Sequence, residues 1–154
     1  MKTKSLCALS VIILTVSLLS SCIFTNMPLN GDIKFHEISL TIDKKFVRDS
    51  TQSTEDLWIF ERGNYSEYII ISKKDAGADI NGSLNGYVEY LTREGAQAKL
   101  TIFLDNNAVS SSYTKDGMYC QEMLFVYGQS FYTIALRGGD KDSFNALLDT
   151  VKLL

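Results

Sequence analysis

The apolar positions of this chain change their spacing several times, and each change marks an element. Leu6 to Leu19 is almost continuously apolar, broken only by Cys7, Ser10, Thr15 and Ser17. After a short polar stretch, Ile38, Leu40 and Ile42 alternate with Ser39 and Thr41, which predicts a half-buried strand over 33–42. Residues 43–56 are polar and charged, with Phe46 and Val47 the only apolar pair, and read as a loop. Leu57-Trp58-Ile59-Phe60 and Tyr68-Ile69-Ile70-Ile71 are apolar at consecutive positions. They predict two strands, joined by a turn at 62–65 and buried on both faces, with a helix over one of them.

The spacing then becomes helical. Leu84, Tyr87, Val88 and Leu91 fall at i, i+3, i+4 and i+7; Asn81 or Ser83 can cap the start, and Gly95 is placed to end it. Gly86 lies inside, at a cost of about 1 kcal/mol. Beyond it come strands over 99–104 and 110–115, a turn at 105–107, and an Asp116-Gly117 hairpin signal of type I′. Residues 118–127 form the longest strand, and 131–136 return antiparallel to it after a turn at 128–130. Gly138-Gly139 breaks the sheet, Asp140 caps a last helix, and Phe144, Leu147, Leu148 and Val151 form its apolar stripe. Strands, one helix, an antiparallel run and a final helix predict an α+β fold: an antiparallel sheet carrying an amphipathic central helix and a packed C-terminal helix.

The N-terminal run has a different role. Lys2 and Lys4 precede it, two small residues end it, and at 14 residues it is short of the about 20 that span a bilayer. Leu19-Ser20-Ser21-Cys22 resembles the lipobox of bacterial lipoproteins. The resemblance implies a signal peptide over 1–21, cleavage between Ser21 and Cys22, and a diacylglyceryl thioether on Cys22. The new amine often receives a further acyl chain such as palmitate. Two or more chains anchor stably where one binds only marginally. The expected organisation is a leader over 1–21, a lipidated tether over 22–32 containing the only proline, Pro28, and one domain over 33–154. Ile23 after the cysteine points to the outer membrane if the organism has one; an envelope location outside the cytoplasm follows in either case.

Composition narrows the function. Without its leader the chain has 154 less 21, or 133, residues, one domain's worth. The leader contains two lysines and no acid, so its removal takes the net charge from −3 to −5. That balance excludes a nucleic-acid partner and offers no basic patch for anionic lipid. Lys44-Lys45 and Lys73-Lys74 read as solvated loop ends. With Cys7 removed and Cys22 spent on lipid, Cys120 has no partner for a disulfide and is expected as a buried small hydrophobe.

Catalytic and metal constellations are weak. His36 is the only histidine; it shares the parity of Ile38 and Leu40, which fits a partly buried, hydrogen-bonded strand residue better than a general base. Neither a zinc pattern nor a phosphate loop occurs. Asp75, Asp79, Asn81 and Gly82 match only part of a calcium loop, with Tyr90 where the twelfth-position acid belongs. Met118, Cys120 and Met123 are soft ligands, but strand alternation turns Met123 away from the other two. Asn64-Tyr65-Ser66 and Asn81-Gly82-Ser83 match the glycosylation triplet, which is incidental in a bacterial setting. No cofactor or metal is expected.

The stretch Gly86-Tyr87-Val88-Glu89-Tyr90-Leu91, the meander, Tyr132-Thr133-Ile134-Ala135-Leu136, a Gly-Gly break and a helix with Phe144 and Leu147-Leu148 are similar to PsbP-like and DcrB-like domains in order and apolar pattern. The resemblance covers most of 35–154. It departs from that pattern at Asp43-Lys44-Lys45-Phe46, where a Pro-x-x-Trp usually stands. It implies a PsbP-like αβα sandwich and a domain that binds or assembles with other proteins. The expected function is therefore a non-enzymatic, membrane-anchored envelope module with a protein partner. Tyr113, Tyr119, Tyr127, Phe131 and Tyr132 are candidate contact residues. Two alternatives stay open: a small-ligand carrier with a pocket lined by several of Tyr87, Trp58 and Phe103, and a hydrolase using Glu61 and Glu67.

Overall fold

A computed structural model of the protein describes residues 31–63 and 65–154. The expected signal peptide, Ser21, Cys22, most of the expected tether and Asn64 lie outside the described residues. The elements run β1 (Gly31–Phe35), β2 (Ile38–Ile42), β3 (Val47–Arg48), β4 (Leu57–Arg62), β5 (Glu67–Asp75), α1 (Ile80–Arg93), β6 (Gln97–Phe103), β7 (Asn106–Lys115), β8 (Met118–Tyr127), β9 (Ser130–Arg137), α2 (Lys141–Leu148) and β10 (Lys152–Leu153). The class is α+β, as the element order predicts.

Seven strands form one antiparallel sheet in the order β3-β4-β5-β9-β8-β7-β6. β1, β2 and β10 form a second, three-stranded sheet. The small sheet and α2 cover the inner face of the large sheet. Their Phe35, Ile38, Leu40, Phe144 and Leu147 pack with its Phe60, Ile71, Phe125, Tyr132 and Ile134 in one buried cluster. On the outer face α1 places Leu84 and Leu91 against Ala98, Val109, Leu124 and Val126.

Three expectations need correction. The strand predicted over 33–42 is a hairpin. Ile33 and Phe35 are buried at odd positions, Ile38, Leu40 and Ile42 at even ones, and the change of phase between them is the turn. His36 lies in that turn with φ +52°, not in a strand. Its Nε2 is 3.0 Å from a carboxylate oxygen of exposed Asp56 and 3.2 Å from the carbonyl oxygen of Glu55. The helix cap is Asp79, neither Asn81 nor Ser83; its carboxylate accepts from the Gly82 N–H at 2.9 Å. Lys73 is no loop residue. It projects from β5, bonds Glu37 at 3.2 Å and lies over the Tyr132 ring, while the Tyr132 hydroxyl donates to the same Glu37. Burial alone would raise the Glu37 carboxyl, but the Lys73 hydrogen bond and charge outweigh it and hold the group below its ordinary value.

Other punctuation is as read. Gly95 adopts φ +86° and the Ala96 N–H reaches the Leu91 carbonyl, which ends α1. Asp116 and Gly117 have φ of +53° and +77°, the pair of left-handed residues that a type I′ hairpin requires. Asp140 accepts from the Ser143 N–H at 2.7 Å and starts α2. Gly138 is required by contact as well as by φ. At φ +79° an added Cβ would stand 2.1 Å from the Ser66 carbonyl oxygen.

Candidate functional site

The outer face of the large sheet is only partly covered. α1 has 14 residues, so it is about 21 Å long and about 10 Å across. Seven strands spaced about 4.8 Å apart make a wider surface than that. The helix sits over the β6–β8 side, where its buried residues find most of their partners, and reaches Phe131 of β9 at one end. Register fixes what remains on the other side. Ile59 of β4 faces Ile70 of β5, which faces Ala135 of β9, then Glu122 of β8 and Ser111 of β7. One row over, Glu61, Tyr68, Arg137, Cys120 and Tyr113 stand side by side. Leu57, Ile59, Tyr68 and Ile70 are half-buried, so the prediction that β4 and β5 are buried on both faces fails for the outer one. The buried residues of α1 pack elsewhere, against Ala98, Val109, Leu124 and Val126.

This open half is bordered by tyrosines and charge. Tyr65, in the β4–β5 turn, is 60% exposed, and its ring lies 6.4 Å from that of Tyr68. Arg137 occupies the middle of the row, and its Nε is buried without a hydrogen-bond partner among the described residues. The same holds for one carboxylate oxygen of Glu61. Buried polar atoms are normally satisfied; Arg48 Nε and Ser111 Oγ are unpaired in the same way, so the shortfall is not confined to this row.

Under the edge of α1 the row becomes a polar cluster. The Tyr87 hydroxyl donates to Glu122 at 2.6 Å. Burial pushes the Glu122 carboxyl up; Tyr87 and Arg137 oppose the shift without cancelling it. Burial, then the charge of Glu122, raises the Tyr87 and Tyr113 phenols. Cys120 is 1% exposed, and burial pushes its thiol up, which makes it an inert core residue. A carboxyl raised in the folded state adds stability that is whole below its unfolded value and is lost as pH rises through the folded one. Glu122→Gln keeps an acceptor for Tyr87 but no titrating proton. Its unfolding free energy is therefore expected to rise relative to the natural protein as pH goes from about 4.5 to 7, and denaturant titrations across that range measure the difference. A constant difference would contradict the burial of this carboxyl.

The structure separates most of the other candidates. Tyr87 is on the outer face, whereas Trp58 and Phe103 pack into the inner core, so the three line no common pocket. A recess of about 280 Å³ opens beside Phe46, Arg62, Glu67, Ile69 and Leu147, and one of about 420 Å³ between α1 and the sheet beside Tyr87, Tyr90 and Tyr113; the second falls within the usual ligand range of about 300–1,000 Å³, and both are open to the surface rather than enclosed. Glu61 and Glu67 have opposite parity across their hairpin, and Glu67 is engaged by Arg62 at 2.5 Å. They do not converge as an acid pair. Met123 joins the inner core, away from Met118 and Cys120, as alternation predicts. The described residues contain no cluster of three or more metal-ligating side chains, and Asp79 is occupied as a cap. Of the meander aromatics only Tyr119 is exposed; Tyr132 is fully buried and Tyr113, Tyr127 and Phe131 are half-buried. The exposed tyrosines elsewhere, Tyr65 and Tyr90, and the central Arg137 were not legible as contact residues without the register.

No protein-family model matches the chain, and no curated protein matches it in sequence. Solved structures do. A crystal structure of a Bacteroides thetaiotaomicron VPI-5482 protein superposes with a TM-score of 0.54 at 13% identity, over 83% of this chain and 49% of that one. The solution structure of cyanobacterial PsbP (CyanoP) from Synechocystis sp. PCC 6803 gives a TM-score of 0.54 at 7% identity, over 77% of this chain and 87% of that one. The fold is PsbP-like. This chain spans about half the length of the Bacteroides protein. At such identities the likeness concerns the PsbP-like fold alone. No helix of the described residues is long and apolar enough to cross a membrane.

Proposed function

We propose that this chain is a lipid-anchored, non-enzymatic envelope protein whose PsbP-like domain docks a partner protein on the open outer half of its sheet. The observation that carries the docking is the row Glu61-Tyr68-Arg137 beside half-buried Ile59 and Ile70. Aromatic residues and arginine around an apolar centre are the composition of an interface core. The anchor rests on Leu19-Ser20-Ser21-Cys22, with diacylglyceryl carried by Cys22 and the outer membrane as destination where the cell has one. The want of a paired acid and base, of a reactive thiol and of an enclosed ligand cavity among the described residues favours binding over catalysis or small-ligand carriage.

A photo-crosslinking residue placed at Tyr68, in cells, is expected to yield a discrete protein adduct. The same residue at Tyr119, on a separate surface, is expected to yield none. Arg137→Ala is expected to cut the Tyr68 adduct roughly tenfold or more, as loss of an interface anchor does. No adduct at Tyr68, or equal adducts at both positions, would overturn the proposal.

A further inference from the structure

The two edges of the large sheet are unlike. β3 is a two-residue strand, which presents little to pair with. β6 is seven residues long, stays in unbroken register with β7 from Gln97 to Phe103, and has no further strand on its outer side among the described residues. It contains no proline and no bulge, and its single charge is Lys99. Native sheets normally blunt such an edge with charge, proline or a bulge, because an open row of N–H and C=O groups templates another strand.

The side chains on β6 point the same way. Leu100 is 51% exposed and Ile102 62% exposed. Among the described residues the other exposed large hydrophobics are three tyrosines and Leu154. Alternation puts Leu100 and Ile102 on the outer face with Ala98. There they border a groove of about 360 Å³ whose far wall is Asn81, Leu84 and Asn85 of α1.

We propose that β6 pairs with β6 of a second copy, antiparallel and centred on Leu100, so that two seven-stranded sheets join across a twofold axis. The sequence of the strand is self-complementary in that register. Leu100 meets its own counterpart, Ala98 meets Ile102, Lys99 meets Thr101, and Gln97 meets Phe103. Apolar side chains then meet on the α1 face, and each lysine lies opposite a hydroxyl rather than another lysine. A register displaced by one residue would set Leu100 against Lys99 and put the two α1 helices on opposite faces, leaving both apolar strips exposed. Of the registers that keep both α1 helices on one face, this one pairs all seven residues of the strand, where a two-residue slip pairs about five.

The contact is about 24 Å long and smaller than the roughly 800 Å² per partner of a standard interface. Its affinity is accordingly weak, micromolar or weaker, and confinement of anchored chains to one membrane raises their effective concentration. This surface is separate from the Tyr68 row, so a dimer would leave the proposed docking face free.

Sedimentation equilibrium of the purified protein in detergent, from about 1 µM to about 1 mM, tests the pairing. The natural chain is expected to show a concentration-dependent dimer. Leu100→Lys is expected to weaken it at least tenfold with an unchanged melting temperature, since the side chain is exposed. Leu100→Cys is expected to form a disulfide-linked dimer on mild oxidation, which a chain unable to self-pair would not. A monomer throughout, a dimer indifferent to Leu100→Lys, or no Leu100→Cys crosslink would each overturn the proposal. Adduct formation at Tyr68 by Leu100→Lys separates this outcome from that of the docking face.

Discussion

Phe125→Ala is expected to cost about 3–5 kcal/mol of folding stability, the range for removing a buried aromatic ring. The melting temperature should fall by roughly 10–25 °C. Phe125 is fully buried. Its ring lies 5.2 Å from that of Phe103, edge-on, and 5.6 Å from that of Tyr132, stacked. Tyr132 in turn reaches Glu37 in the β1–β2 turn, so the ring supports the contact between the two sheets. Little can relax into the vacated volume, because both flanking rings belong to paired strands. Urea denaturation of the variant measures the loss. A change below about 1 kcal/mol would mean that the small sheet and α2 do not enclose the inner face as described.

The second large effect concerns the anchor. Cys22→Ala removes the sulfur that would carry the diacylglyceryl group, so incorporation of a radiolabelled fatty-acid precursor is expected to drop to background, on the order of 100-fold. The leader should also stay attached, since in the resemblance cleavage follows lipidation. Label persisting in Cys22→Ala would place the lipid elsewhere or remove it from the account. The proposed anchor matters to the rest of the proposal because a weak edge contact and a single docking face would gain most from being held in two dimensions.

The chain announced much of this fold in its spacing. β8 occupies the predicted 118–127, the Asp116-Gly117 turn has the predicted left-handed pair, and Asp140 caps α2. These are local decisions, made by alternation and by residues with one good conformation. The misses share a different cause. The β1–β2 turn at His36-Glu37 has no glycine, asparagine or proline to mark it; only the slip of phase from Phe35 to Ile38 does. β10 is two residues long and exists because β2 offers it an edge. Ile59 and Ile70 read as two-sided core, yet one helix cannot span seven strands. Which strands it leaves bare depends on sheet order, and order is decided by long-range pairing. The candidate surface was illegible for the same reason. Glu61, Tyr68 and Arg137 are 76 residues apart from first to last, and only the β4-β5-β9 register sets them side by side. Cys22 is the opposite case: the lipidation proposed for it rests on four consecutive residues that lie outside the described ones.

The most direct test of the anchored docking domain is the mass of the N-terminal peptide from protein taken out of its own cells. The account predicts a peptide that begins at Cys22 and carries a diacylglyceryl thioether. A free Cys22 thiol, or residues 1–21 still in place, would contradict it.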